Sequence, residues 1–357
     1  MPPSTLELSE LDLQLGRLFM TGLKGPELDP DTEALIRDFS LGGIVLFSRN
    51  IQNPVQLASL CNDLQEKAID YHQIPLFLAV DQEGGPVARL KEPFTLFPGS
   101  RAIGEDAHPV DRAVDFARVT AREMALVGLN MDLAPVVDVP QGVPEKHLEG
   151  RTFGEDPKKV GLLGRTVVRE LQKNGIMAVA KHFPGLGRAG VDPHHHLPRI
   201  DMAARDMERI NLPPFKEALS EGVCAVMTSH ALYPALEPER PATLSQRILS
   251  GLLREKLGFD GLIITDDLEM GAIARTWGTV RAAAMAFKAG ADILLICQDQ
   301  GLVLEAIRSL RKEVLQGQIP YKRLRESLDR IEKAKARFLN PCPEISLDRV
   351  RDYFGLS

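Results

Sequence analysis

Residues 177–187 read MAVAKHFPGLG, and this stretch gives the strongest indication of the fold. Its first four residues form a short apolar run that predicts a buried β-strand, and the polar side chains of Lys181 and His182 begin where that strand would end. Enzymes built on parallel β-sheets carry their reactive groups at the carboxyl ends of the strands. The stretch therefore predicts a parallel sheet with a functional site at one edge.

Similar apolar runs recur along the chain and alternate with helix-like segments. Eight runs predict strands at 17–23, 43–48, 76–81, 131–139, 177–182, 223–230, 261–266 and 292–297. Apolar residues at spacings of three and four predict helices at 29–39, 54–70, 109–127, 157–174, 207–221, 245–257, 279–289 and 300–315. This alternation predicts a single (β/α)8 barrel of the TIM type.

A doubly wound open sheet is the alternative fold. The barrel is favoured because neither GxGxxG nor GxxxxGK[ST] follows the first run and because no linker divides the chain. We expect a catalytic barrel domain over residues 1–340 that includes an extra C-terminal helix at 321–339, packed on the outside. Residues 341–357 are expected to form a C-terminal tail.

Composition and charge exclude several classes of partner. The formal net charge is -6 and no Lys/Arg block is present, so no nucleic-acid partner is expected. No stretch approaches the roughly 18 consecutive apolar residues of a membrane span, and the acidic N-terminus lacks the apolar core of a signal peptide. We expect a cytoplasmic protein with no membrane partner. The cysteines, which form no CxxC pair and predict neither a disulfide framework nor a structural zinc site, are Cys61, Cys224, Cys297 and Cys342.

Ionisable residues stand at the carboxyl ends of several predicted strands, which would bring them to one rim of the barrel. They are Asp81, Asp138, Lys181, His182, His230, Asp266 and Asp267. Two long connections, 82–107 and 140–156, would lie on the same rim and shape a substrate pocket. Facing carboxylates suit glycoside hydrolysis, and metal-assisted hydrolysis is the alternative.

Two observations count against a metal site. The first predicted strand has no histidine, whereas metal-dependent barrels usually carry an HxH pair there. The run from His194 to His196 could not readily place all its rings on one ion, because successive side chains of an extended segment point to alternate sides. We therefore expect no metal and no cofactor.

Five segments resemble glycoside hydrolase family 3, in its β-N-acetylhexosaminidase branch. They are KHFPGLGRAGVDPH at 181–194, AVDQEGGPVARL at 79–90, NMDLAPVVDV at 130–139, GRTFGEDP at 150–157 and FDGLIITDDLEM at 259–270. The β-glucosidase branch of the family takes its acid from a second domain after the barrel, and the few residues that follow the barrel here favour the hexosaminidase branch. The resemblance also implies the barrel fold.

The resemblance implies roles for individual residues. Asp266 matches the catalytic nucleophile, His194 the general acid/base and Asp192 the aspartate that pairs with it. The residues that match ligands of the sugar are Asp81, Arg89, Arg151, Lys181 and His182. Met227 and His230 are expected to line the sugar site, with a hydrogen-bonded rim histidine as the alternative for His230.

The implied chemistry is consistent with the residue types. A retaining glycosidase needs one ionised carboxylate and a second group that first donates and then withdraws a proton. Histidine, with an unperturbed pKa near 6.5, suits both steps at neutral pH. Asp192 can accept from the other ring nitrogen of His194 if the loop is locally extended, a geometry that Pro193 favours.

Two positions depart from the family pattern. Leu186 stands where the family usually has a second histidine, and Pro193 stands where it usually has serine. Neither position matches a catalytic role. We expect them to affect the movement of the loop that carries His194, and the reaction type to be unaffected.

The function predicted from the resemblance is a retaining exo-β-N-acetylglucosaminidase. It would remove terminal GlcNAc from peptidoglycan-derived fragments, through a covalent glycosyl-Asp266 intermediate, in cell-wall recycling. The alternatives are a GlcNAc phosphorylase, a β-glycosidase of the same family, a metal-dependent barrel hydrolase and a non-catalytic sugar-binding protein. The expected partner is a GlcNAc-terminated carbohydrate.

Overall fold

Eight parallel strands close into a barrel in a computed structural model that describes residues 5–142, 146–342 and 344–356. Each strand pairs with the next along the chain, and the last pairs with the first. The strands are β1 Phe19–Gly22, β2 Gly43–Leu46, β3 Phe77–Val80, β4 Met131–Asp132, β5 Met177–Phe183, β6 Ala225–Thr228, β7 Leu262–Asp267 and β8 Ile293–Ile296. The predicted (β/α)8 barrel is confirmed.

The strands are continuously apolar because both of their faces are covered, one by the barrel interior and the other by the helices. Every residue of β1, β2, β3, β6 and β8 is buried. The fourth strand is shorter than predicted. Its regular ladder stops at Asp132, because Pro135 has no N–H to donate, and a single bridge between Val136 and Lys181 continues the pairing with β5.

Helices surround the barrel and return the chain from each strand to the next. Within the described residues they are Thr5–Gly16, Pro30–Phe39, Pro54–His72, Ser100–Glu105, Pro109–Leu126, Pro157–Lys173, Ala204–Arg209, Leu212–Ser220, the π-helical Arg247–Lys256, Gly271–Trp277, Thr279–Ala289, Gln300–Leu315, Tyr321–Phe338 and Leu347–Phe354. The single helix predicted at 207–221 is wrong. The structure has two helices there, because Pro213 and Pro214 suit the first turn of a helix and not its interior.

The C-terminal helix Tyr321–Phe338 lies against the amino-terminal end of the barrel. It buries Leu324, Leu328 and Ile331 on one face. One turn further on, the buried Lys335 places Nζ 3.2 Å from the carbonyl oxygen of Gly42 and 4.8 Å from the ring centroid of Phe77. A lysine therefore projects into the base of the barrel.

The segment expected to form a tail contains a further helix, Leu347–Phe354. Its Phe354 ring packs edge-on against Phe94 with centroids 4.8 Å apart, and Val350 is fully buried. None of the helices in the described ranges is long and apolar enough to cross a membrane.

Candidate active site

A cavity of about 220 Å³ opens at the carboxyl ends of the strands. Eight of the ten predicted site residues line it, and they are Asp81, Arg89, Arg151, Lys181, His182, His194, Met227 and Asp266. Asp192 and His230 do not line the cavity, although each is hydrogen-bonded to a residue of its neighbourhood. The tertiary structure thus brings the predicted residues from five different βα units to one place.

Asp266 lies near the end of β7, where its carboxylate accepts a hydrogen bond from the backbone N–H of Asp267 at 2.8 Å. Burial alone would raise the pKa of this carboxyl. Neighbouring His230 and His182, the Asp267 N–H and Lys181 outweigh burial and hold the pKa of Asp266 below its ordinary value. The Asp266 carboxylate is therefore ionised at neutral pH.

His194 and Asp192 form a close pair on the loop after β5. The ring Nδ1 of His194 lies 2.7 Å from Oδ1 of Asp192, and the backbone N–H of His194 donates to the same oxygen at 2.9 Å. The N–H groups of His195 and His196 both donate to the Asp192 carbonyl. The expectation of an extended loop is therefore wrong: the residues meet in an Asx-type turn, because a short aspartate side chain readily accepts from the N–H two residues on.

The carboxylate of Asp192 has a lowered pKa. Burial opposes this shift, and the hydrogen bonds from the backbone and ring of His194 produce it. An ionised Asp192 then holds Nδ1 of His194 as the donor. The other ring nitrogen, Nε2, takes no part in this contact, and the His194 side chain is 59% exposed at the mouth.

The loop that carries His194 is tied to the helix that follows Asp266. The N–H of Gly271 donates to the His194 carbonyl at 2.9 Å, and the N–H of Ala272 donates to the Pro193 carbonyl at 3.2 Å. A Cβ at Gly271 would lie 2.9 Å from the carbonyl oxygens of both His194 and His195. Position 271 therefore needs glycine, because any side chain would push this loop away.

The glycines of the KHFPGLG stretch allow a similarly close approach at the root of the loop. Gly185 has a φ of +122°, and a Cβ at Gly187 would lie 2.0 Å from the Val139 carbonyl oxygen. Between them, the N–H of Leu186 donates to Oδ1 of Asp138 at 2.6 Å. The stretch is thus fixed against the connection that follows β4.

Asp138 also orients His182. The carboxylate is fully buried, and its Oδ2 lies 2.7 Å from the ring Nδ1 of His182. This contact makes Nδ1 the donor and leaves Nε2 as the ring nitrogen available at the cavity. The sequence places Asp138 at a strand end but gives it no role, because its partners come from a different βα unit.

Charged side chains form a second cluster at the mouth. Lys181 Nζ lies 2.7 Å from Asp81 Oδ1 and 2.6 Å from Glu83 Oε1. Arg151 grips the Glu83 carboxylate with two nitrogens at 2.8 Å each, and Arg89 lies 3.4 Å from Asp81. We name Asp81, Glu83, Arg89, Arg151 and Lys181 the charge cluster.

Glu83 is the residue of the charge cluster that sequence reasoning missed. Its position two residues after Asp81 in AVDQEGG was the available signal. Burial alone would raise the pKa of Glu83, but Lys181 and Arg151 lower it to about 2. For Lys181 the directions are reversed. Burial alone would lower its pKa, but the carboxylates of Asp81 and Glu83 raise it. Glu83 and Lys181 therefore stay charged at neutral pH.

His230 lies behind the wall of the cavity. Its Nδ1 is 2.7 Å from the Thr243 hydroxyl and its Nε2 is 2.9 Å from the carbonyl oxygen of Asp267, so both ring nitrogens are engaged within the protein. Burial lowers the pKa of His230. Burial also raises the pKa of the neighbouring Asp267 to about 7.

Met227 lines the cavity, unlike His230, and contributes to the apolar part of its wall.

No group of three or more His, Cys, Asp or Glu side chains in the described ranges is arranged to hold a metal ion. The four cysteines are free thiols. Burial raises the pKa of Cys61 and Cys224, the latter to about 12.

The family described as "Glycosyl hydrolase family 3 N terminal domain" matches residues 10–334. This chain belongs to glycosyl hydrolase family 3. A protein named Beta-hexosaminidase from Thiobacillus denitrificans is 36% identical to it over 304 residues, which are 84% of this chain and 82% of that protein. Beta-hexosaminidase A from Pseudoalteromonas piscicida is 37% identical over 286 residues, covering 75% of this chain and 48% of that protein.

Solved structures of family 3 agree with the barrel. The family 3 beta-N-acetylglucosaminidase from Paenibacillus sp. str. FPU-7 superposes with a TM-score of 0.92 at 38% identity, covering 94% of this chain and 64% of that chain. Native NagZ from Neisseria gonorrhoeae superposes with a TM-score of 0.75 at 29% identity, covering 92% of this chain and 98% of that chain. The predicted family and its β-N-acetylhexosaminidase branch are confirmed.

The family 3 chain described here spans about half the length of the Pseudoalteromonas relative and just under two thirds of the Paenibacillus chain. Its two departures from the family pattern both lie in the cavity wall. Leu186 is 2% exposed, and Pro193 supplies one of the two carbonyls that tie the His194 loop to the helix after β7.

Proposed function

We propose that this protein is a retaining exo-β-N-acetylglucosaminidase in which Asp266 is the nucleophile and His194 the general acid/base. The observation that carries the proposal is the shared cavity: an ionised carboxylate on β7 and a histidine held by Asp192 line one mouth, and two backbone hydrogen bonds tie their supporting segments together. This is the pair of groups that a double-displacement mechanism needs.

In the first step, the Asp266 carboxylate attacks the anomeric carbon while Nε2 of His194 gives its proton to the leaving oxygen. A glycosyl ester forms at Asp266 and the glycosidic C–O bond breaks. In the second step, His194 takes a proton from water, the water oxygen attacks the same carbon, and the carboxylate leaves. Asp192 stays ionised and keeps Nδ1 of His194 as a donor throughout.

The charge cluster and His182 would hold the sugar. Lys181, Arg89 and Arg151 supply donors and Asp81 an acceptor for hydroxyl groups, while the Nε2 atom of His182 faces the same cavity. Met227 and its apolar neighbours would contact the ring carbons. Because these side chains are already held by one another, little ordering remains to be done when the sugar binds.

The substrate class we propose is a GlcNAc-terminated fragment of peptidoglycan, handled in cell-wall recycling by the barrel of residues 1–340. The sequence resemblance to the β-N-acetylhexosaminidase branch supports this assignment. Release of GlcNAc from GlcNAc-1,6-anhydro-N-acetylmuramic acid, followed by chromatography, tests it. The cytoplasmic location stays a prediction.

Trapping the intermediate tests the nucleophile directly. A 5-fluoro N-acetylglucosaminyl reagent should inactivate the enzyme, and peptide mass mapping should find the label on Asp266. Label on another residue would overturn the assignment.

The general acid is tested with His194→Ala, and His195→Ala is the matched control because that neighbouring side chain does not line the cavity. The His194 variant should lose far more activity on alkyl glycosides than on activated aryl ones, whose leaving groups need no proton. His195→Ala should lose little on either, and equal losses on both substrates in the His194 variant would remove its acid role.

Two assays separate the other candidate functions. Glycosyl phosphate as the main product in phosphate buffer would identify a phosphorylase. Loss of turnover after EDTA treatment would indicate a metal-dependent hydrolase.

A further inference from the structure

A second cavity, of about 550 Å³, lies at the opposite end of the barrel from the mouth. It forms where the segments that precede β6 and β7 meet the C-terminal helix Tyr321–Phe338 and the helix Leu212–Ser220. It shares no lining residue with the mouth cavity. We name it the basal cavity. Its volume is in the range of small-molecule sites.

Positive charge is concentrated in the basal cavity although the chain as a whole is acidic. Its lining includes Lys216, Arg330, Lys333 and Arg337, and Asp260 is the single acidic residue among the lining residues that the structure describes. Asp260 is exposed, and its carboxylate lies 3.6 Å from Arg330 and 3.9 Å from Lys333, beyond ordinary hydrogen-bond distance. Glu208 lies 3.4 Å from Lys216 at the rim. The cations thus exceed their counter-charges.

A buried arginine group behind the cavity adds to this excess. Arg254, Arg323 and Arg330 all face one fully buried carboxylate, Asp292. Burial, reinforced by repulsion from the other two arginines, lowers the pKa of Arg254 to about 10. The Nε atom of Arg330 is buried and has no hydrogen-bond partner in the described part of the chain. Two carboxylates, the buried Asp292 and the exposed Asp260 at 3.6 Å from this Nε atom, thus pair with three guanidinium groups, and a bound anion would supply the missing charge.

The remaining wall of the basal cavity is apolar. Leu219, Val223, Leu257, Phe259 and Leu262 line it. The Phe259 ring lies 5.2 Å from the Arg254 guanidinium, which holds the ring against the arginine group. An apolar wall beside a cationic one suits a ligand with an anionic head and an apolar body.

We propose that the basal cavity binds a small phosphate ester. Its phosphate would lie among Arg330, Lys333 and Arg337, and its apolar body would pack against Phe259 and Leu219. A phosphate monoester carries close to two negative charges at pH 7 and several acceptor oxygens, so it matches a group of cations better than a single carboxylate does. The assignment is independent of the reaction proposed at the mouth.

Calorimetric titration of the full chain with phenyl phosphate tests the proposal. Lys333→Gln/Arg337→Gln removes two cations of the cavity, and the matched control Lys322→Gln/Arg325→Gln removes two from the same helix outside it. Thermal unfolding of both double variants checks that they fold. We expect saturable binding, weakened at least about tenfold by the first pair of changes and unaltered by the second.

Three further titrations test which chemical class of ligand binds and whether it binds in the basal cavity. Inorganic phosphate and benzoate should each bind more weakly than phenyl phosphate, because one lacks the apolar body and the other the second charge. Arg89→Gln, at the mouth, should leave the affinity unchanged. The proposal is overturned by the absence of saturable binding at millimolar phenyl phosphate, by equal losses in the two double variants, by benzoate binding as tightly, or by loss of binding in the Arg89 variant.

Discussion

Replacing Glu83 with glutamine is the sharpest test of the charge cluster, because it removes one buried charge and changes almost no volume. The Glu83 carboxylate accepts from Lys181 at 2.6 Å and from two nitrogens of Arg151 at 2.8 Å. A glutamine keeps one oxygen acceptor but turns an NH2 group toward one of these donors. The charges of Lys181 and Arg151 then stay buried without the negative charge that balanced them. Removing one partner of a buried ion pair in this way strongly destabilises the folded state.

The magnitude follows from the pKa of Glu83. The folded state lowers it from 4.5 to about 2, a difference of about 2.5 that corresponds to about 3 kcal/mol in favour of the ionised form. We therefore expect Glu83→Gln to lower the free energy of unfolding at pH 7 by about 3 kcal/mol. With an unfolding entropy of about 2.1 cal/mol/K per residue over this chain, the melting temperature should fall by about 4 °C.

The pH dependence has a definite sign. Since the pKa of Glu83 is lower in the folded state, its contribution is fully present above pH 4.5 and is lost as the pH falls toward 2. The stability deficit of Glu83→Gln should accordingly shrink over that range. Denaturant titration at several pH values measures it.

Glu170→Gln is the matched control. The Glu170 side chain is 4% exposed and also pairs with two arginines, Arg118 and Arg169, but these are 55% and 42% exposed and can be rehydrated by water. Glu170→Gln should therefore lower the free energy of unfolding by no more than about 1 kcal/mol. Equal losses in the two variants would refute the reasoning that buried partners make Glu83 costly to replace.

Three further substitutions test separate parts of the structure. Lys335→Met should raise the free energy of unfolding below pH 7 by on the order of a few kcal/mol, because burial lowers the pKa of Lys335 to about 7. Between pH 7 and 10.5 the unfolded wild type binds one more proton than the folded protein, so the stability of the wild type rises over that range. A Lys335→Met variant whose stability rises in the same way would contradict the assignment. Asp138→Asn should raise KM for aryl GlcNAc about tenfold, since His182 loses its charged partner; an unchanged KM would count against this orienting contact. Gly271→Ala should lower kcat about ten- to a hundredfold by displacing the His194 loop, with little change in melting temperature; unaltered kcat would show that the loop is not held there.

Much of the fold was readable from local patterns. A buried parallel strand is short, apolar and bounded by turn residues, so the eight runs identified the strands, and the helices between them followed from their periodicity. Two of the errors in the fold occurred at prolines: Pro135 ends the ladder of β4, and Pro213 and Pro214 divide a predicted helix. At these positions a missing backbone donor overrode the hydrophobic pattern.

The sequence by itself determined which residues reach the mouth of the barrel, because parallel strands present their carboxyl ends on one side. Asp266, His194 and Lys181 were found in this way and by their family motifs. Only the tertiary structure decided what holds them. Glu83 contacts Arg151 across 68 residues, Asp138 contacts His182 across 44, and the Gly271 N–H meets the His194 carbonyl. Such contacts join different βα units, and their distances depend on how the closed barrel brings those units together, which no local pattern records.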